Sequence, residues 1–158
     1  MQNRQITIQL QTLQSLIRRT NEACGSNLEL QAEWARYLCV ISAGLLENAI
    51  KEFYLDFAKR KVARPLASYV SSTISPIRSP KSVRFLEIAG AFDPTWKSEL
   101  EAYEISTGGL DAIDSIMLNR HLIAHGKSRE SKISLVSLKE YLSKSTGVLE
   151  LIEQQCNR

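Results

Sequence analysis

Cysteine is scarce and scattered in this chain of 158 residues: Cys24, Cys39 and Cys156 are odd in number, and no two lie close together. That excludes a disulfide framework and a zinc knuckle, and makes a reducing compartment, the cytoplasm, the expected home. Long apolar runs are missing as well. No stretch approaches the ~18 apolar residues needed to cross a bilayer, and Met1-Gln2-Asn3-Arg4-Gln5 has no apolar signal core, so no membrane association is expected. No segment of four to eight residues alternates apolar and polar cleanly between turn signals, which removes the evidence for strands. Charge of one sign is not in excess either. Lys plus Arg number 20 against 17 for Asp plus Glu, and a net charge of +3 is too small to argue for nucleic acid by itself.

What is present is helical patterning in a chain long enough to bury a substantial core in one domain, 1–158. Ile6, Leu10, Leu13 and Ile17 recur at three and four, predicting an amphipathic helix from Gln5 to about Glu22. Ser26 with Glu29 fits a capping box, opening a second helix. Its apolar stripe, Leu30, Trp34, Leu38, Ile41, Leu45, Ile50, Phe53 and Phe57, meets no proline before Pro65 and should run to about Lys61. The aromatic part of that stripe, Trp34, Tyr37, Phe53, Tyr54 and Phe57, is expected to be core or dimer interface, not a base-stacking platform.

Pro65 starts a short helix through Val70, and Ser71 to Pro80 reads as a loop, the most mobile segment of the chain. Ser79-Pro80 and Asp93-Pro94 each open a further helix. Ser106 to Gly109 is a break, followed by a helix from Leu110 to Ala124 with Gly126 as a left-handed cap. After a basic loop, Ser137 with Glu140 offers a capping box for a last helix on Leu138, Leu142, Val148, Leu149 and Ile152, weakened by Gly147. The class is all-α: two long central helices with short accessory ones, in an up-and-down arrangement.

The chemistry concentrates in Leu118-Asn119-Arg120-His121-Leu122-Ile123-Ala124-His125-Gly126. On a helix, His121 and His125 project from nearly the same face, one turn apart, and Arg120 leaves from a neighbouring one. An always-charged planar fork beside imidazoles suits phosphate: the arginine orients the anion while a histidine moves protons. Histidines at i and i+4 are also how helices present two ligands to zinc, but no third ligand stands at a suggestive spacing and the arginine would repel a dication. Lys127, Arg129 and Lys132 follow directly and could track a phosphate backbone. Lys59-Arg60-Lys61 with Arg64 form a second basic cluster, more simply read as a solvated helix end. In the long helix Glu47-Asn48 interrupts an apolar neighbourhood, so Glu47 must face water or have a cationic partner.

Arg120, four intervening residues, His125 and Gly126 form R-x4-H, which resembles the signature of the HEPN superfamily of small α-helical domains. The run Arg120 to Gly126 is similar to that of its RiboL-PSP branch, and so is Leu45-Leu46-Glu47-Asn48-Ala49-Ile50. Ser134 to Tyr141 looks like the lead into that branch's last helix, so the resemblance runs from about Glu33 to Ile152. His121 departs from it, since many members carry asparagine there. The resemblance implies a helical bundle that dimerises to bring two motifs across one cleft. Catalytic members are metal-independent endoribonucleases, needing no cofactor, that use the RNA 2′-hydroxyl as nucleophile; other members are non-catalytic modules binding a partner protein or nucleotide. Carried over, His125 is general base or acid, Arg120 stabilises charge on the scissile phosphate, and His121 shares proton transfer or holds a phosphate oxygen. Glu47, with Asn48 as the weaker candidate, orients Arg120. A toxin-like or defence-related role would add an antitoxin or another protein as partner.

Overall fold

The computed structural model describes residues 1–158, which form seven helices and no strands: α1 (Arg4–Cys24), α2 (Leu28–Lys61), α3 (Arg64–Ile74), α4 (Ser82–Phe92), α5 (Pro94–Thr107), α6 (Gly109–Ala124) and α7 (Leu135–Asn157). The 34 residues of α2 span about 51 Å at 1.5 Å per residue. It is the spine of an all-α bundle, packing against α1, α6 and α7, while α4 and α5 pair with each other and α3 packs chiefly on α2. One hydrophobic cluster draws on all seven helices, with Ile6, Leu38, Leu46, Ile50, Phe85, Leu100, Ile113, Ile116, Leu138 and Ile152 fully enclosed. No helix is long and apolar enough to cross a membrane.

Local chemistry sets the helix ends, and several lie a few residues from where the sequence predicts them. Asn27, not Ser26, caps α2: its side chain accepts from the Leu30 N–H at 3.0 Å, and asparagine is at least as good a cap as serine. Helix α3 runs past Val70 to Ile74, taking in the first four residues of the expected loop. Ile74 reaches the core, and the Ser72 and Thr73 hydroxyls donate back to the Tyr69 carbonyl at 2.7 and 3.1 Å, so they do not compete with the helix. Helix α4 opens at Ser82 instead of at Ser79-Pro80, because Ser79 is held elsewhere. Helix α7 opens at Leu135 through a reciprocal box between Ser134 and Ser137, leaving Glu140 to pair with Lys144 at 2.8 Å. At α5 the Asp93-Pro94 signature acts as expected, with Asp93 accepting from the Thr95 N–H at 2.8 Å.

Gly147 sits in mid-α7 for a steric reason that its low helix propensity hides. The Tyr103 hydroxyl of α5 occupies the space a β-carbon would need. Gly147→Ala is therefore expected to destabilise the protein by about 1–3 kcal/mol despite alanine's better propensity, read as a melting temperature several degrees lower. An unchanged or raised melting temperature would contradict this packing.

Candidate functional site

The end of α6 is built by two constraints. The helix stops at a Schellman turn, in which the Lys127 N–H donates to the Leu122 carbonyl at 2.8 Å and the Gly126 N–H to that of Ile123 at 3.2 Å. Gly126 takes φ +74°, the left-handed conformation predicted for it. The second constraint is Cys39 of α2, whose thiol lies 3.5 Å from the Ile116 carbonyl and against the backbone of Arg120. Burial pushes that thiol up to about 12, partly offset by the Arg120 N–H, so Cys39 is a packing residue, not a nucleophile.

The three expected residues fall within six consecutive positions at this end of α6, and the two histidines are in contact. Arg120 follows the core residues Ile116 and Met117 by one turn and is half-buried, and its guanidinium makes no ion pair or hydrogen bond within the chain. His121 and His125 are exposed, with ring centroids 4.3 Å apart and planes tilted by 52°. The histidine pair gathers no third metal-ligating side chain: no group of three or more His, Cys, Asp or Glu assembles anywhere in the fold. Lys127, Arg129 and Lys132 are exposed on the segment that leaves the Schellman turn, and none is ion-paired.

Asn119, to which the sequence alone gives no role, fixes that segment. Asn119 donates to the Ser115 carbonyl at 2.8 Å and accepts at 2.8 Å from the hydroxyl of buried Ser131, clipping the loop back onto α6. Ile133, also buried, anchors its far end. An asparagine beside Arg120 and an isolated serine twelve residues on give little signal in a linear sequence.

The expected partnership of Glu47 with Arg120 does not form. Glu47 pairs with Lys51 at 2.8 Å and with Arg78 at 3.5 Å, and accepts from the Ser79 N–H at 2.8 Å. Burial raises its pKa, but the Lys51 and Ser79 hydrogen bonds and the charges of Lys51 and Arg78 outweigh that and hold it below the usual carboxylate value. The register of the helices is the cause. Cys39, eight residues and about 12 Å before Glu47 along α2, is the residue that meets Arg120. Glu47 instead holds Ser79 of the segment before α4, and Asp114 holds Ser82, three residues on. Asn48 is exposed and makes no side-chain hydrogen bond.

An all-α bundle ending its sixth helix in R-x4-H-G has the architecture of a HEPN domain. The RiboL-PSP-HEPN family model matches residues 2–158, and the chain belongs to that family. The match takes in α1 and the end of α7, beyond the stretch carrying the recognisable motifs. The superfamily includes both ribonucleases and non-catalytic modules. No curated protein and no solved structure matches the chain.

Proposed function

We propose that the protein is a metal-independent endoribonuclease with Arg120, His121 and His125 at its centre. The observation that carries this reading is a guanidinium left without an internal partner at the same helix end as two exposed imidazoles in contact, groups that suit an anion and a proton transfer and that bond to nothing within the fold. Arg120 binds the scissile phosphate and neutralises charge developing on its oxygens. One imidazole, His125, accepts the proton of the 2′-hydroxyl as its oxygen attacks phosphorus. The P–O5′ bond breaks, and the departing oxygen takes a proton from the second imidazole, His121, or from the partner subunit's motif, leaving a 2′,3′-cyclic phosphate and a 5′-hydroxyl. Lys127, Arg129 and Lys132 hold flanking backbone phosphates. The test is RNA cleavage in chelator by the wild type and by His125→Ala.

The working unit proposed is a homodimer formed through the exposed face of α2. Leu30, Trp34, Tyr37, Ile41 and Gly44 follow one another at 4-3-4-3 spacing, the seam of a helix pair. Tyr37 is 56% exposed and Trp34 36%, packed edge to face at 5.6 Å. Such a contiguous apolar face is rarely left to water. Tyr37→Glu is expected to turn the dimer into a monomer in sedimentation with its helix content kept. A wild type that sediments as a monomer at micromolar concentration would contradict the dimer.

A non-catalytic module is the second reading. It is favoured by Arg120 lacking the acidic residue that would aim it. In that case the α2 face receives a partner protein, and His125→Ala changes partner binding or the melting temperature instead of an activity. A toxin-like or defence-related role belongs to the nuclease reading and would make that partner an antitoxin.

A further inference from the structure

The segment between α3 and α4 encloses a shallow depression of about 410 Å³ that the Arg120 site does not use. Its lining carries three cations, Arg78, Lys81 and Arg84, and no carboxylate; Ile77 is its one large apolar side chain, framed by Pro76 and Pro80. The segment is held in shape from beneath. Glu47 of α2 takes the Ser79 N–H at 2.8 Å, and Asp114 of α6 takes the Ser82 N–H at 2.7 Å and its hydroxyl at 2.6 Å. Arg78 is braced further, donating to the Ser75 and Ile77 carbonyls at 2.9 and 3.0 Å. Two helices thus spend a carboxylate each on presenting a loop whose outward side chains are basic.

Stability accounts for Arg78, which pairs with Glu47 at 3.5 Å, but not for the other two cations. Lys81 makes no ion pair or hydrogen bond through its side chain, and Arg84 meets only the exposed Glu87, at 2.8 Å, a kind of pair worth little in water. Lys81 and Arg84 also stand at the start of α4, where the helix dipole disfavours positive charge. A protein partner would need an apolar or aromatic pocket for its anchors, which this lining lacks. A phosphodiester backbone needs only spaced cations. The location suits it: α6 carries Asp114, which supports this loop, and six residues on, about 9 Å along the axis, Arg120.

From this arrangement we infer that Arg78, Lys81 and Arg84 form a second phosphate site that grips the backbone of single-stranded RNA away from Arg120 and His125. The inference rests on the nuclease reading only for the choice of RNA as the polymer. It does not need cleavage, so the two can fail separately.

The experiment is equilibrium binding of a short labelled single-stranded RNA lacking terminal phosphates, in chelator, on a His125→Ala background, across a salt series. Arg78→Gln/Lys81→Gln/Arg84→Gln is expected to weaken binding by about tenfold or more at low salt. It should also reduce the slope of log affinity against log salt by about 2, three contacts at roughly 0.7 each. Because Arg78 and Arg84 have internal partners, Lys81→Gln alone serves as the variant that cannot disturb the fold, and it should lower the slope by about 0.7. Unchanged affinity and slope in both variants would overturn the site, as would failure of the parent protein to bind the RNA at low salt. Equal displacement of the RNA by a glutamate-rich peptide of matching charge, through the same three residues, would overturn its assignment to nucleic acid. Binding that behaves as expected in a protein that never cleaves would leave this site standing and remove the nuclease reading alone.

Discussion

Replacing His125 with alanine is expected to reduce RNA cleavage in the presence of chelator by about 10²- to 10⁴-fold, the range for loss of a positioned acid or base. Arg120→Ala should cost about 10²–10³-fold through lost stabilisation of the phosphate charge. Neither change should lower the melting temperature appreciably. His125 is exposed and its backbone, not its ring, closes the Schellman turn. Arg120 has no ion pair or hydrogen bond to forfeit, and alanine in its place loses only the packing of a half-buried stem. Activity and stability must therefore separate. If Arg120→Ala unfolds the protein as readily as it silences it, the arginine is a structural residue and the catalytic assignment fails.

Glu47→Gln should show the opposite pattern. The residue lies in the family-like segment of α2, where the resemblance implies a role in aiming Arg120, yet its carboxylate is engaged by Lys51, Arg78 and the Ser79 N–H. Removing the charge while keeping the shape is expected to cost on the order of 1–3 kcal/mol, the scale for hydrogen bonds to a charged group. The residual cleavage rate per folded molecule should stay within a few-fold of wild type.

The pH dependence gives a second readout. Because the folded-state pKa of Glu47 is held below its ordinary value, its contribution is complete above the ordinary glutamate range and is lost as pH falls through the lowered folded-state value. The gap between wild type and Glu47→Gln should accordingly be full at neutral pH and close in strong acid. A gap that widened on acidification would mean that burial, not pairing, dominates at this carboxylate. The loop at Ser79 should also loosen, weakening RNA binding at Arg78 and Lys81 without touching His125.

How far the linear chain discloses all this depends on the range of each interaction. Features set within four or five residues are readable: the α5 cap at Asp93-Pro94, the left-handed Gly126, and the end of α2 ahead of Pro65. Caps with a competitor one to three residues away are less so, as Asn27 beside Ser26 and Ser134 before Ser137 demonstrate. That Arg120, His121 and His125 stand at one helix end is legible because they fall within six consecutive residues. The partner of Glu47 is not. It depends on which level of α6 lies opposite which level of α2, and a carboxylate in an apolar stretch states a need for a cation without naming it. Gly147 fails for the same reason, since the tyrosine that excludes a side chain there comes from α5. So does the Asn119 clip, made by a serine across a loop.

The most direct test of the central claim is analysis of the ends produced when the purified protein meets RNA in excess chelator. A phosphate gripped by Arg120 and attacked by the neighbouring 2′-oxygen predicts 2′,3′-cyclic phosphate and 5′-hydroxyl ends, no cleavage of a fully 2′-deoxy strand, and loss of both products in His125→Ala. Cleavage of the deoxy strand, products bearing 5′-phosphates, or no cleavage of any RNA would contradict it.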